Sequence, residues 1–223
     1  MGTITRGLSN NITTGGVILP AGITNSSVSA VTSFANASGG TLTLLSTQTA
    51  SNSATISFTT GLNSTYDEYQ FKFIDVHPRT DLVNFQFNMS TDSGSNYNVT
   101  KTTTIFASYH YENDLDAGLL YNTANDLAQS TAFQNLTSYD IFSNSADSSV
   151  CGTLQLFNPS STTYVKHFIS AVHSMQDDSG RPFTLQTNTA GYGNTTSAVN
   201  AVRFQMNSGN FDGTIKLYGL KKS

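Results

Sequence analysis

The chain of 223 residues has a net charge of −4, and only 11% of its residues are charged, against roughly 25% in ordinary soluble domains. Its polarity comes from Ser, Thr, Asn and Gln instead, while 14 Phe and 10 Tyr residues supply the apolar area of a core. This composition excludes a disordered chain, which is poor in aromatic residues. The ten Lys and Arg residues are scattered, so the sequence indicates no nucleic-acid partner.

The single cysteine, Cys151, excludes an intrachain disulfide, and a buried free thiol is expected at this position. No apolar run reaches the ~18 residues of a membrane span. The first residues also lack the apolar segment of a signal peptide. We therefore expect a protein that is made in a cytoplasm and has no membrane partner.

Residues 1–40 are rich in Gly, Thr, Ser, Asn and Ala and show too little periodicity for an independent domain. We interpret them as an extended N-terminal arm that becomes ordered only against a partner or a neighbouring subunit. A loose tail without a role is the alternative. The candidate residues that anchor this arm to a partner are Ile4, Arg6, Leu8, Ile12, Val17, Ile18 and Leu19.

From Thr41 onward, large apolar residues alternate with polar ones, which is the period of half-buried strands. The predicted strands include Tyr69–Phe73, Phe85–Met89, Leu154–Leu156, Tyr164–Ile169, Val202–Met206 and Thr214–Tyr218, and the Thr-rich stretches Thr41–Thr47, Thr55–Thr60 and Thr100–Tyr111. Turn residues at Ser90–Asn96, Asn158–Ser161 and Ser208–Asn210 predict antiparallel hairpins. The pattern predicts that residues 41–223 form one all-β domain, an antiparallel β-sandwich of jelly-roll type.

Only Thr123–Asp126 has the residues of a helix capping box. We expect a turn or two of helix there, inside a long connection between Glu112 and Val150. The closing strand Thr214–Tyr218 is apolar, so it is predicted to pair centrally in a sheet or at a subunit interface.

The segment after the predicted strand Thr100–Tyr111 has the composition of a ligand-binding loop, through Tyr109, His110, Tyr111, Asn113, Asp114 and Asp116. Aromatic rings stack on sugars, and carboxylates and amides bind sugar hydroxyls or calcium. The spacing does not match a calcium-binding EF-hand loop. A strand end that runs into a solvated loop is the alternative interpretation, and no metal site is predicted.

Two further clusters combine polar residues. His77-Pro78-Arg79, near Asp75 and Asp81, is interpreted as a turn after a strand, with a sugar or phosphate contact as the alternative. His167 and His173 lie six residues apart, on one face of a regular strand, but two histidines do not make a zinc site. We expect half-buried histidines there.

No catalytic motif and no cofactor-binding motif is present in the sequence. A glycosidase assembled from carboxylates on distant strands is the enzymatic alternative that the sequence leaves open. No catalytic residue and no cofactor is predicted.

Four stretches together resemble a known family: Leu44–Ala50, Ser64–Ile74, Asn158–Phe168 and Ser208–Leu220. As a set they are similar to virion structural proteins of marine tailed bacteriophages, such as those of cyanophages. The similarity runs from about residue 40 to the end, and the opening Met1–Leu8 is also similar. The resemblance implies a place on the virion, as a tail-fibre or other structural protein, and it brings no catalytic residues.

The resemblance and the short chain lead us to expect a non-enzymatic protein on the virion surface, made in the host cytoplasm. The first hypothesis is a capsid decoration protein or short head fibre, anchored by its arm to the major capsid or tail protein as a homotrimer. The second is a tail-fibre or tail-tip adhesin that binds host surface glycan through the loop at Tyr109–Asp116. A virion-associated polysaccharide depolymerase ranks third.

Overall fold

The computed structural model describes residues 12–13, 16–17, 42–138, 143–178 and 180–221. The chain divides into two units, Met1–Ser38 and Gly39–Ser223. In the first unit, β1 (Ile12–Thr13) pairs antiparallel with β2 (Gly16–Val17), which places Ile12 opposite Val17. The expected arm otherwise lies outside the described residues, together with its candidate anchoring residues Ile4, Arg6, Leu8, Ile18 and Leu19.

The second unit is built from strands joined by turns and loops. Its strands are β3 (Leu42–Ser53), β4 (Thr55–Phe58), β5 (Tyr66–Pro78), β6 (Phe85–Ser90), β7 (Lys101–Tyr111), β8 (Ala117–Tyr121), β9 (Gln134–Asn135), β10 (Val150–Phe157), β11 (Lys166–Asp177), β12 (Pro182–Gly193), β13 (Ala201–Met206) and β14 (Phe211–Lys221). The predicted strands all fall on these elements, although β11 begins two residues later than the predicted strand Tyr164–Ile169.

The strands form two antiparallel sheets. The larger has the order β3-β14-β5-β10-β11-β12-β7-β8, and the smaller has the order β4-β13-β6-β9. The first four strands of the larger sheet and the whole smaller sheet reproduce the strand order of a jelly roll, in which the chain alternates between two packed sheets. The pairs β7–β8 and β11–β12 are additions that widen the larger sheet on one side. The predicted jelly-roll-like sandwich is confirmed.

Two of the three predicted hairpins are wrong. The turn at Ser90–Asn96 follows β6 in the smaller sheet and leads to β7 in the larger one, and Ser208–Asn210 joins β13 to β14 across the sandwich in the same way. Only Asn158–Ser161 connects neighbouring strands, β10 and β11. The turn residues reverse the chain in both situations, so local chemistry cannot distinguish a hairpin from a crossing between sheets.

An aromatic core fills the space between the two sheets. The Phe204 ring, on β13, is fully buried and contacts rings from both sheets at centroid distances of 5.1 to 6.4 Å: Phe58, Phe71, Phe73, Phe85 and Phe87. The closing strand β14 has β3 on one side and β5 on the other, so it pairs centrally as predicted. Together, these contacts provide a stiff scaffold for the outer surfaces.

Strand β6 departs from the predicted alternation. Asn88 and Ser90 are buried like Phe87 and Met89, so both faces of this strand end are covered. The Asn88 amide donates hydrogen bonds to the carbonyl oxygens of Tyr97 and Thr131, at 2.7 and 3.0 Å. The segments that follow β6 therefore cover the face that the sequence pattern assigned to solvent.

The connection between Glu112 and Val150 holds more structure than expected, because it contains β8 and β9. Thr123–Asn125 forms a single 3-10 turn whose first residue has no side-chain cap. The capping box is absent because the Asp126 carboxylate instead accepts hydrogen bonds from the Ile105 amide and the Tyr121 hydroxyl. No helix among the described residues is long and apolar enough to cross a membrane.

Candidate functional site

Part of the outer face on the widened side of the larger sheet carries no carboxylate, ammonium or guanidinium group, and the same face of β11 ends at Asp177. Cross-strand partners share a face, so Ala171, Asn188, Phe106 and Tyr121 form one row across β11, β12, β7 and β8. We define the neutral face by the outward side chains Thr153, Gln155, Phe157, His167, Ile169, Ala171, Asn188, Ala190, Tyr192, Thr102, Thr104, Phe106, Ser108, Leu119 and Tyr121. None of these carries a carboxylate, ammonium or guanidinium group.

The other half of the same outer face is charged. Lys72 on β5 is the cross-strand partner of Lys216 on β14, and Glu68 is the partner of Phe157, where the neutral face begins. Charged side chains therefore border the neutral face on the β5 side and at the end of β11. An antiparallel sheet that faces water on one side normally carries polar side chains there. The large apolar residues of the neutral face therefore mark it as a candidate interaction surface.

A depression of about 610 Å³ lies in the neutral face. Its lining includes Thr102, Thr104, His167, Ile169 and Tyr192, with Phe157 and Ala190 beside them. The His167 and Tyr192 rings lie 6.1 Å apart, centroid to centroid. Ile169 is 50% exposed, so the depression offers apolar surface and hydroxyl groups to a ligand together.

The floor of the depression includes Gly191. A Cβ atom built there would lie 2.6 Å from the Thr102 carbonyl oxygen and 2.7 Å from the Thr103 methyl carbon. These distances are below any normal contact, so a larger residue would force β12 away from β7. Glycine therefore permits the close strand spacing beneath the depression.

Hydrogen bonds fix one wall of the depression in the free protein. The Tyr121 hydroxyl donates to the Asp126 carboxylate, and the Thr104 hydroxyl donates to the Tyr121 oxygen at 3.2 Å. The Thr102 oxygen accepts from the backbone and side-chain nitrogens of Gln129, at 3.2 and 2.7 Å. Consequently the Thr102 hydroxyl hydrogen remains available to donate, and the Thr104 oxygen remains available to accept.

The predicted ligand loop is the hairpin that joins β7 to β8, so the structure brings Tyr109, His110, Tyr111, Asn113, Asp114 and Asp116 together at one sheet end. The Tyr109 hydroxyl donates to the Asp116 carboxylate at 3.2 Å, and the Tyr111 hydroxyl donates to Asp178 at 3.3 Å. His110 pairs with Asp114 at 2.9 Å on the exposed surface. Asn113 accepts from the Leu115 amide.

The two tyrosine rings of this hairpin also pack internally. Tyr111 stacks on Phe183 at 5.0 Å and contacts Tyr109 edge to face at 5.9 Å. Desolvation raises the pKa of both phenols, and the nearby carboxylates, Asp116 for Tyr109 and Asp178 for Tyr111, raise it further. These rings thus hold the β7–β8 and β11–β12 ends together, which limits the ring surface that they offer to a ligand.

The cluster around His77 and Arg79 lies where β5 ends at Pro78. The Arg79 guanidinium binds both carboxylate oxygens of Asp212, at 2.7 and 3.1 Å, and this hydrogen-bonded pairing holds the pKa of Asp212 below its usual value. A polar depression of about 380 Å³ lies beside them. The ion pair holds the start of β14 against the end of β5. This position agrees with the interpretation of the cluster as a turn after a strand.

Two expectations about single residues are wrong. Cys151 is exposed rather than buried, and its thiol exchanges weak hydrogen bonds with Asp75. Desolvation of the sulfur raises the pKa of this thiol. His167 and His173 share the outer face of β11 as expected, but both are exposed rather than half-buried. The described residues contain no group of three or more His, Cys, Asp or Glu side chains positioned to hold a metal ion.

The neutral face was not predicted, although the sequence contains a signal for it. The alternate positions of β7 begin with Thr102, Thr104, Phe106 and Ser108, and those of β11 begin with His167, Ile169 and Ala171. One of the two alternating sets in each strand must face outward. The absence of Lys and Glu from these sets is the signal that marks an unusual surface.

Two buried lysines were not predicted either. Lys101 and Lys166 are both fully buried, and both are cross-strand partners of Gly193. Desolvation lowers the pKa of each, to about 7 for Lys101.

A scan against protein-family models, a search of curated proteins and a search of solved structures each find no match to this chain.

Proposed function

We propose that this chain is a non-enzymatic structural protein on the surface of a tailed bacteriophage particle, where it acts as a capsid decoration protein or short head fibre. Its N-terminal arm holds the major capsid protein, and its sandwich projects outward as part of a homotrimer. The observation that carries the proposal is the edge strand β3, which pairs with β14 alone among the strands that the structure describes.

Strand β3 is a 12-residue edge of the larger sheet, with β14 as its neighbour on one side. Its sequence, LTLLSTQTASNS, contains no charged residue and no proline. Natural proteins usually protect sheet edges with lysine, proline or a covering segment, because an open edge pairs with other chains. Leu44 is 52% exposed on this strand, so β3 has the features of an edge that a partner strand completes.

The position of β3 in the chain supports the same role. Leu42 lies two residues after the end of the predicted anchoring arm, so the arm and the β3 edge are close in sequence. The other edge of the larger sheet is β8, seven strands away. At about 4.8 Å between strands, attachment at β3 leaves the β7–β8 side free to face the surroundings.

A pair of matched variants tests the proposal together with a cryo-EM reconstruction of the virion. Leu44→Asp places a charge on the β3 edge, while Ile169→Asp places the same charge at an equally exposed position, 50% against 52%, on the distant neutral face. We expect density for the sandwich on the capsid lattice and at least a tenfold loss of copies per virion with Leu44→Asp alone. A thermal melt of both purified variants controls for folding.

Density confined to the tail, or no copies in the virion, would contradict the decoration role. Equal incorporation of both variants would contradict the role of β3. Native mass spectrometry of the purified protein tests the homotrimer, for which a monomer at all concentrations is the opposing result.

A further inference from the structure

We propose that the depression in the neutral face binds a neutral oligosaccharide, a short chain of uncharged sugars. This inference goes beyond the proposed function, because it concerns a ligand site and does not depend on where the protein sits on the virion. It also differs from the sequence-based adhesin hypothesis, because it places sugar binding on the sheet and not on the β7–β8 hairpin.

Charge is the first argument. The lining of the depression contains no carboxylate, ammonium or guanidinium group. A uronate or sulfate group placed there would lose water without gaining a Lys or Arg counter-ion, and an unpaired buried charge is costly. A ligand without charge carries no such cost, so the electrostatics of the site favour a neutral molecule over an acidic one.

The mixture of side chains is the second argument. A sugar ring has apolar C–H faces and a rim of hydroxyl groups. The depression offers apolar surface for the sugar faces, from Tyr192, Ile169 and Phe157. Its lining also contains the hydroxyl groups of Thr102 and Thr104, which can bond the sugar hydroxyls. Gln155 and Asn188 extend the polar rim, as the cross-strand partners of Ile169 and Ala171. Apolar lining with a few placed polar groups is the usual composition of a small-molecule site.

The two threonines are already oriented for this task. Because Gln129 donates to the Thr102 oxygen, the Thr102 hydroxyl hydrogen points elsewhere and can donate to a ligand. Because Thr104 donates to Tyr121, its oxygen keeps a lone pair for a ligand donor. A sugar hydroxyl both donates and accepts, so it can bond either threonine. Fixing these groups in advance lowers the entropy lost on binding.

Size and shape are consistent with this ligand. The depression measures about 610 Å³, within the ~300–1,000 Å³ range of small-ligand sites. It lies on a rigid sheet between long strands, since β11 and β12 pair along their whole length from Lys166–Gly193 to Asp177–Pro182. Sites on such elements hold their geometry better than sites on loops.

The test uses the whole protein on an array of neutral gluco-, manno-, galacto- and xylo-oligosaccharides, with uronate and sulfated oligosaccharides as acidic counterparts. Isothermal titration then measures the affinity for the best array ligand. We expect binding to a neutral oligosaccharide, weakened at least about tenfold by Ile169→Asp and by Tyr192→Ala. Tyr192→Phe keeps the ring and should bind within about threefold of the original protein.

Leu44→Asp is the matched control, because it adds the same charge at equal exposure outside the depression. It should bind the oligosaccharide normally even if it fails to enter the virion, so the two proposals can fail separately. Binding of no neutral oligosaccharide, binding of acidic ones only, or unchanged binding by Ile169→Asp would overturn the inference. Self-association that Ile169→Asp abolishes, without any sugar binding, would overturn it in favour of an interface between copies.

Discussion

The ammonium group of Lys101 donates a hydrogen bond of 2.6 Å to the side-chain oxygen of Asn88 in the interior of the protein. A second bond, of 2.9 Å, reaches the carbonyl oxygen of Val99. Both acceptors are uncharged, so the positive charge is solvated by dipoles alone. The loss of hydration on burial of this charged group is not offset by an ion pair. Desolvation therefore disfavours the charged form and lowers the pKa of Lys101.

The first prediction concerns pH. Desolvation lowers the pKa of Lys101 from 10.5 to about 7, so between these values the unfolded chain holds more protons than the folded one. The contribution of Lys101 to the free energy of unfolding should therefore rise with pH across this window, by at most about 1.4 kcal/mol per pH unit. Below pH 7 the lysine is protonated in both the folded and the unfolded state, and its contribution to the free energy of unfolding is at its lowest.

Urea denaturation at pH 7, 8, 9 and 10 measures this slope. The variant Lys101→Met should show a flatter dependence, because it lacks the titrating group. Lys166 contributes with the same sign, since desolvation lowers its pKa as well, so the slope should diminish without vanishing. Identical slopes for the variant and the original protein would refute the assignment to Lys101.

The second prediction concerns Asn88. Its amide bonds Tyr97 and Thr131, and its oxygen accepts from Lys101 and the Met89 amide. Asn88→Leu removes one hydrogen-bond partner from each of these groups, including the buried ammonium, and should cost about 3 kcal/mol or more.

A double-mutant cycle separates the pair from the rest of this network. Asn88→Leu combined with Lys101→Met removes the unpaired ammonium as well, so the double variant should lose less stability than the sum of the two single variants. Strict additivity would mean that the two side chains do not interact energetically.

The third prediction concerns the core. Phe204 is fully buried among five aromatic rings, so Phe204→Ala should cost about 3–5 kcal/mol. Phe106, on the neutral face, is 43% exposed, and Phe106→Ala serves as the control, with an expected loss of about 1 kcal/mol or less. Chemical denaturation of both variants compares them, and similar losses would argue against a core centred on Phe204.

The fourth prediction concerns Gly152 on β10. Its φ is +155°, and a Cβ atom there would lie 2.4 Å from the carbonyl oxygen of Ala171 on the neighbouring strand. Gly152→Ala must displace backbone, so it should cost at least about 2 kcal/mol more than Gly180→Ala. Gly180 also has positive φ, but no atom lies within 4 Å of its added methyl group. Equal melting temperatures for the two variants would contradict this account.

The sequence by itself determined the all-β class and the places of nine of the twelve strands of the second unit, but not β8, β9 or β12. Tyr69, Phe71 and Phe73 illustrate why, since a two-residue period puts them on one face regardless of what else the chain does. The exclusion of a disulfide rested equally on the sequence, because it required only a count of cysteines.

The tertiary structure alone decided which strands meet and which polar groups lose contact with water. Lys101 and Lys166 look like ordinary surface lysines in the sequence, and they become fully buried only in the folded sandwich. Likewise, Thr102, Ile169 and Tyr192 form one depression only because β7, β12 and β11 are neighbours in the sheet. Local periodicity determines the face of each side chain within its own strand, but pairing between strands far apart in the chain depends on the packing of the whole sandwich.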